Sequence, residues 1–307
     1  MLCVAIILIA IISCGAREIQ DATKAGDFNL TAVLFAPLPP ATDTRIIGGS
    51  PTNIESFPFT VQILNSGQFV CGGSILTIRH ILSAAHCFVE MNTGRPLRAS
   101  LFSIRAEATF LNEAGRVHRA STIIIHREYN HATVDHDVAV MVLRSNLRLN
   151  TRSQRARIPL QGNTVADNGT VVVVGWGRTR ANVAQSSNVL NQVSVRIVNR
   201  AICRQRYLIH ANLFVSDNMI CAGLLDIGGA DACQGDSGGP LIYNGSIVGI
   251  TSWGVRCADP ILPGVYTEVS RYSSWINDTV TRFNGSPRSQ AGVAAVLMSL
   301  MFLIFSV

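Results

Sequence analysis

Short runs of apolar residues alternate with polar ones over most of the chain. Residues 59–64, 81–84, 138–142, 171–174 and 247–250 are rich in Val, Ile and Leu and are separated by Gly, Asn, Asp and Pro. Runs of this kind, broken by turn residues, predict strands, and many at even spacing predict a barrel or a sandwich. One stretch changes period. Tyr272, Trp275, Ile276 and Val280 recur at helical spacing, which predicts a helix over about 271–283 with an N-cap near Ser270.

The two ends follow neither pattern. Residues 2–12 are continuously apolar and are followed by Ser13-Cys14-Gly15-Ala16 and Arg17. This reads as a secretory signal peptide, residues 1–16, cut after Ala16. Residues 17–45, with Pro37-Leu38-Pro39-Pro40, read as a propeptide. Residues 284–307 divide into a polar spacer and an uncharged apolar tail, 291–307. Three readings of the tail stand side by side: a GPI-anchor signal, a membrane helix at the short limit of length, and a buried or cleaved tail. The expected location is extracellular, either free or held at the cell surface.

Charge and cysteine narrow the class. The formal net charge is +6, and of 25 Lys and Arg residues only Lys24 is lysine. No basic cluster or nucleic-acid module accompanies the charge, so nucleic acid is not an expected partner. Arginine keeps its charge beyond pH ~12, whereas lysine loses its own near pH ~10. The bias suits an alkaline medium, and a base-composition bias in the gene would give the same pattern. Loss of the leader reduces eight cysteines to six, Cys71, Cys87, Cys203, Cys221, Cys233 and Cys257. An even set in an oxidising compartment implies disulfides. No Cys-x-x-Cys pair points to zinc.

The densest chemistry lies in Asp231-Ala232-Cys233-Gln234-Gly235-Asp236-Ser237-Gly238-Gly239-Pro240. A serine displayed between small residues needs a base to activate it and a group to orient that base. His86, in Ser83-Ala84-Ala85-His86-Cys87, and Asp137, in Asp135-His136-Asp137-Val138-Ala139, supply both. The order His86, Asp137, Ser237 is that of one triad class and excludes two others.

With these marks, and with Arg45-Ile46-Ile47-Gly48-Gly49, Cys71-Gly72-Gly73-Ser74, Gly175-Trp176-Gly177, Ser252-Trp253-Gly254 and Pro263-Gly264-Val265-Tyr266, residues 46–283 resemble the trypsin-like serine proteases. The arginine bias resembles that of digestive trypsins from moth and butterfly larvae. The resemblance implies an all-β fold of two six-stranded Greek-key barrels, about 46–155 and 156–271, followed by the helix. It implies the disulfides Cys71–Cys87, Cys203–Cys221 and Cys233–Cys257. It implies that Ser237 attacks, His86 moves the proton and Asp137 orients it, with Ser252 donating to Asp137. The N–H groups of Gly235 and Ser237 would form the oxyanion hole. Asp231 would sit at the base of a pocket for Arg or Lys, with Gly254 and Gly264 as bare walls and Ser252 and Trp253 beside them.

The activity implied is a secreted zymogen of a serine endopeptidase cutting after Arg or Lys. Cleavage between Arg45 and Ile46 creates an ammonium, and its pairing with Asp236 would switch the site on. The expected partners are protein and peptide substrates, an activating trypsin-like protease (another copy of itself included), protein protease inhibitors and, through the tail, a membrane. Two alternatives are a catalytically inactive binding protein and a cell-surface processing protease of narrow specificity. Arg256 stands where a typical trypsin has glycine, and it has three courses: solvent, Asp259 or Asp231. Residues 104–126 correspond to a calcium loop but offer only Glu107 and Glu113, where calcium prefers six to eight oxygens. No metal or cofactor is expected, and His80, His118, His126, His131, His136 and His210 read as surface or packing residues.

Overall fold

A computed structural model describes residues 48–179 and 185–284. Six strands form the first barrel: β2 (Thr60–Asn65), β3 (Gln68–Ile75), β4 (His80–Ser83), β5 (Phe102–Ala106), β6 (Arg116–Ile125) and β7 (Ala139–Leu143). They close antiparallel in the order β2-β3-β4-β7-β6-β5, with β5 pairing back onto β2. The second barrel uses β8 (Thr170–Gly175), β9 (Asn191–Val198), β10 (Met219–Gly223), β11 (Pro240–Tyr243), β12 (Ser246–Trp253) and β13 (Gly264–Glu268). It runs β8-β9-β10-β13-β12-β11 and closes where β8 pairs with both β9 and β11. Each barrel therefore repeats one Greek-key order, three consecutive strands followed by a jump. A two-residue strand, β1 (Ser50–Pro51), pairs with β9.

The patterning explains the strands unevenly. In β5 the residues alternate buried and half-buried, as one core face requires. In β7, Ala139 to Leu143 are all buried. One face fills the barrel with Ile63, Ile81 and Ile104, and the same cluster extends to Tyr272 and Ile276 of the C-terminal region.

Among the described residues two α-helices flank the barrels. Helix α1 (Arg200–Ala211) begins where the Asn199 side chain accepts from the N–H groups of Ala201 and Ile202. It ends at Asn212 in the left-handed conformation, φ 52°. It buries Cys203 and Tyr207, and the disulfide Cys203–Cys221 ties it to β10. Helix α2 (Ser273–Arg282) has Tyr272 as its N-cap, two residues later than the cap expected at Ser270. Ser270 lies inside a short 3-10 turn, Val269–Arg271, and is buried there. Among the described residues no helix is long and apolar enough to cross a membrane. The leader, the Arg45–Ile46 bond and the apolar tail lie outside the described residues.

Candidate active site

His86 sits in a 3-10 turn, Ala85–Phe88, that follows β4, and the disulfide Cys71–Cys87 fastens this turn to β3. Asp137 lies two residues before β7 and is buried, at 1% exposure. Its Oδ2 is 2.7 Å from His86 Nδ1, and its Oδ1 accepts the His86 backbone N–H at 2.8 Å. Ser252 Oγ from β12 donates to Oδ2 at 2.5 Å, and Thr267 Oγ1 from β13 donates to the Asp137 carbonyl at 2.8 Å. Burial alone would raise the Asp137 carboxyl, but the His86 imidazole and these hydrogen bonds hold it below the usual range. Burial likewise disfavours a charged His86, yet the Asp137 carboxylate outweighs it and raises the imidazole pKa. An ionised Asp137 only accepts, so the neutral ring carries its proton on Nδ1 and leaves Nε2 as a base.

Ser237 arrives from the other barrel, in the turn before β11. Its carbonyl accepts the Gly72 N–H at 2.8 Å, which docks the turn onto β3. Gly238 adopts φ +75°, and a Cβ there would lie 2.1 Å from Ser83 Oγ, so the approach requires glycine. Gly235 adopts φ +99°, again a glycine conformation. Neither the Gly235 nor the Ser237 N–H finds an acceptor among the described residues. No hydrogen bond joins Ser237 to His86 among them either; in enzymes without substrate this bond is often long and tightens on binding.

Two further aspartates, Asp236 in this turn and Asp231 just before it, are buried. Asp236 is fully enclosed; Oδ1 accepts from Gly177 N–H at 2.8 Å and Oδ2 from Cys233 N–H at 2.9 Å. A Cβ on Gly175 or Gly177 would come within 2.1 or 2.2 Å of the carboxylate. Burial pushes its pKa up to about 6. No ion pair reaches it among the described residues.

Asp231, 2% exposed, accepts the N–H groups of Ala232 at 2.8 Å and Ala258 at 3.1 Å. Burial pushes it up to about 7. It lines a cavity of about 210 Å³ together with Gln234, Ser237, Trp253, Gly254 and Arg256. A Cβ on Gly264 would lie 2.6 Å from Asp231 Oδ1, whereas one on Gly254 would meet nothing closer than Tyr207 Oη at 3.9 Å. The disulfide Cys233–Cys257 braces the cavity, and Tyr207 Oη donates to Pro263 carbonyl at 2.6 Å behind it.

A family model for trypsin matches residues 46–276. The chain belongs to the trypsin family. It is a serine endopeptidase. It is similar to alkaline trypsins C and B of Manduca sexta, each 43% identical over 244 residues, covering 78% of this chain and 92% of the relative. Trypsin CFT-1 of Choristoneura fumiferana is 42% identical over 242 residues, 77% of this chain and 91% of that protein.

In this trypsin-family protease Arg256 turns outward. Its guanidinium is 77% exposed and stands 3.7 Å from Asp259 Oδ2, and it makes no ion pair with Asp231 among the described residues. Glu107 is held by Arg116 at 3.1 Å and Asn150 at 2.9 Å, and Glu113 by Arg152 at 2.7 Å. The chain's own donors thus occupy both carboxylates of that loop. The positioning roles of Gly72, Ser83, Gly177 and Thr267 escape sequence reasoning, although the first three stand in motifs it singles out. The one usable signal is the glycine pair around Trp176, because glycine inside a strand region marks close approach of another backbone or side chain.

Proposed function

We propose that the chain is the secreted precursor of an endopeptidase that cuts after Arg or Lys, working through Ser237, His86 and Asp137. The observation that carries this reading is the buried Asp231 carboxylate in a glycine-walled cavity that opens on Ser237. A substrate guanidinium or ammonium pairs with it, which sets the scissile carbonyl beside Ser237. Ser237 Oγ then attacks the carbonyl carbon while His86 Nε2 takes the hydroxyl proton. The N–H groups of Gly235 and Ser237 receive the oxyanion. The C–N bond breaks, the amine takes the proton from Nε2, and water repeats the sequence on the acyl-enzyme. Asp137 stays ionised and stabilises the imidazolium. Amide substrates with Arg, Lys, Phe or Ala before the scissile bond test this. Arg and Lys are expected to lead Phe and Ala in kcat/KM by more than about 100-fold. Arg256→Gly is expected to change the ratio by less than about fivefold, since an exposed ion pair is worth little. Preference for Phe or Ala in both proteins overturns the role of Asp231.

Activation follows from Asp236. A carboxylate enclosed to this degree is costly without a cation, and cleavage after Arg45 creates one on Ile46. Gly48, where the described chain begins, already packs on the segment leading to Asp231: a Cβ there would lie 2.1 Å from the Gly229 carbonyl oxygen. Arg45→Gln should stay uncleaved by an active trypsin and remain about 10²–10³ below the processed enzyme, the worth of one oxyanion-hole donor. No lysine follows Lys24, so the processed chain holds a single amino group. That amine should resist amine-reactive reagents while it is paired with Asp236, and ready modification without loss of activity would sink the switch. The six cysteines, joined in three disulfides, fit an extracellular destination.

A further inference from the structure

Two imidazoles that the proteolytic chemistry does not use lie stacked beside it. His126 directly follows β6, His136 directly precedes Asp137, and the His126 N–H donates to the Val138 carbonyl at 3.1 Å, closing the loop between them. Their rings are 5.1 Å apart and within 5° of parallel. Tyr272 and Trp275 pack edge-on against His126 at 5.3 and 5.0 Å. Glu128 brings Oε2 to 3.9 Å from His136 Nε2, too far for a hydrogen bond. One nitrogen of each ring and one Glu128 oxygen all lie within 4.8 Å of one another.

The neighbours fix where the protons sit. Asp135 Oδ1 can only accept, and Asn218 Nδ2 lies 3.1 Å from it, which orients the amide. The same nitrogen is 3.3 Å from His136 Nε2, so Nε2 carries a lone pair. His136 Nδ1 therefore bears the hydrogen and donates to Tyr272 Oη at 3.1 Å. On the other ring, His126 Nδ1 accepts the Glu128 N–H at 3.3 Å and so carries a lone pair as well. Both lone pairs are engaged only by long contacts. A carboxylate and two unprotonated imidazoles, one of them steadied through its second nitrogen, form the donor set of a borderline transition metal.

We propose that His126, His136 and Glu128 bind a divalent ion of the Zn²⁺ class, with solvent completing four-coordination. Ligand atoms around a tetrahedral zinc lie about 3.3 Å apart. The 3.9 Å gap from Glu128 to His136 closes by less than an ångström, and the Glu128 side chain, 52% exposed, is held among the described residues only by a long contact from Arg127 Nη2 to Oε1 at 3.4 Å. Parallel rings do not aim two lone pairs at one point, so binding turns His126 about its Cβ–Cγ bond, breaking one 3.3 Å hydrogen bond and shifting its edge contacts with Tyr272 and Trp275. Neither the mechanism nor the Asp231 pocket is needed for this site, so its failure leaves the reading as a protease intact.

Titration calorimetry with Zn²⁺ tests it, on chelator-washed protein carrying Ser237→Ala to prevent self-digestion. One ion per chain is expected. In the same background His126→Ala and His136→Asn should each weaken binding at least about tenfold; asparagine suits position 136 because His136 has φ +53°. Glu128→Gln, at an exposed side chain, supplies a variant that keeps the loop's packing and should also bind more weakly. Co²⁺ in place of Zn²⁺ should show the intense visible absorption of a four-coordinate site, lost in the same variants. No one-to-one binding overturns the proposal, as does Zn²⁺ affinity that stays within about twofold in all three variants.

Discussion

Asp137→Asn is expected to lower kcat by about 10⁴-fold with the fold unchanged, the loss typical of Ser-His-Asp enzymes rather than a figure read from these distances. The carboxylate accepts from His86 Nδ1, the His86 backbone and Ser252 Oγ. An amide in its place turns an N–H toward Nδ1, and Nδ1 must then accept. The ring proton moves to Nε2, the atom that should take the proton from Ser237. Histidine stays in position in the wrong tautomer. Steady-state kinetics on an arginine amide, alongside thermal melting of both proteins, measures this. A loss below about tenfold in a stably folded variant would mean that Asp137 does not orient the base.

Asp231→Ser should cost arginine and lysine substrates about 10²–10⁴ in kcat/KM while changing a phenylalanine substrate by less than about tenfold. The substrate cation would enter a desolvated cavity with no counter-charge, and an unpaired buried charge costs about 3–5 kcal/mol. The same carboxyl gives the wild type a pH signature. Burial pushes Asp231 up to about 7 in the empty cavity. It is ionised above that pH and neutral below it, and only the ionised form attracts a cation. Binding of an amidinium inhibitor should therefore weaken as pH falls through about 7, and this dependence should vanish in Asp231→Ser. A separate inhibitor measurement is needed because His86 titrates too and moves kcat. If wild-type affinity does not change between pH 5 and about 9, the cation does not meet Asp231.

Residues near one another in sequence were read most completely. Cys233, Gly235, Asp236 and Ser237 form one turn, and its small residues announce it because side chains there would collide with the chain folded against it. The apolar runs at 138–142 and 171–174 lie in the strands β7 and β8 of the structure, apart from Val138, which directly precedes β7. Helix α1 had no apolar stripe to reveal it, because it buries only Cys203 and Tyr207. Its real signals were the asparagines at its two ends. β6 shows the same difficulty: only Ala120 is fully buried, and burial does not alternate along it. The contact of Gly72 with Ser237 and that of Gly177 with Asp236 join residues far apart in the chain, and barrel register, not local composition, brings them together. Arg256 is ambiguous in the sequence for an electrostatic reason, since Asp231 and Asp259 both offer a charge; in the structure its side chain turns outward from the cavity and meets Asp259 at the rim.

The Gly72 N–H to Ser237 carbonyl bond spans the seam between the barrels. On one side stand His86 and Asp137; on the other stand Ser237, Asp231 and the cavity. In the proposed mechanism base and nucleophile thus come from separate barrels, with Ser252 and Thr267 of the second barrel also holding Asp137. The loop between β12 and β13, which lines the cavity with Gly254 and Arg256, makes no hydrogen bond to His86 or Asp137 among the described residues and can vary to fit a new side chain. The cost of that freedom is mechanical: a slight parting of the barrels would silence the enzyme while each barrel remained folded.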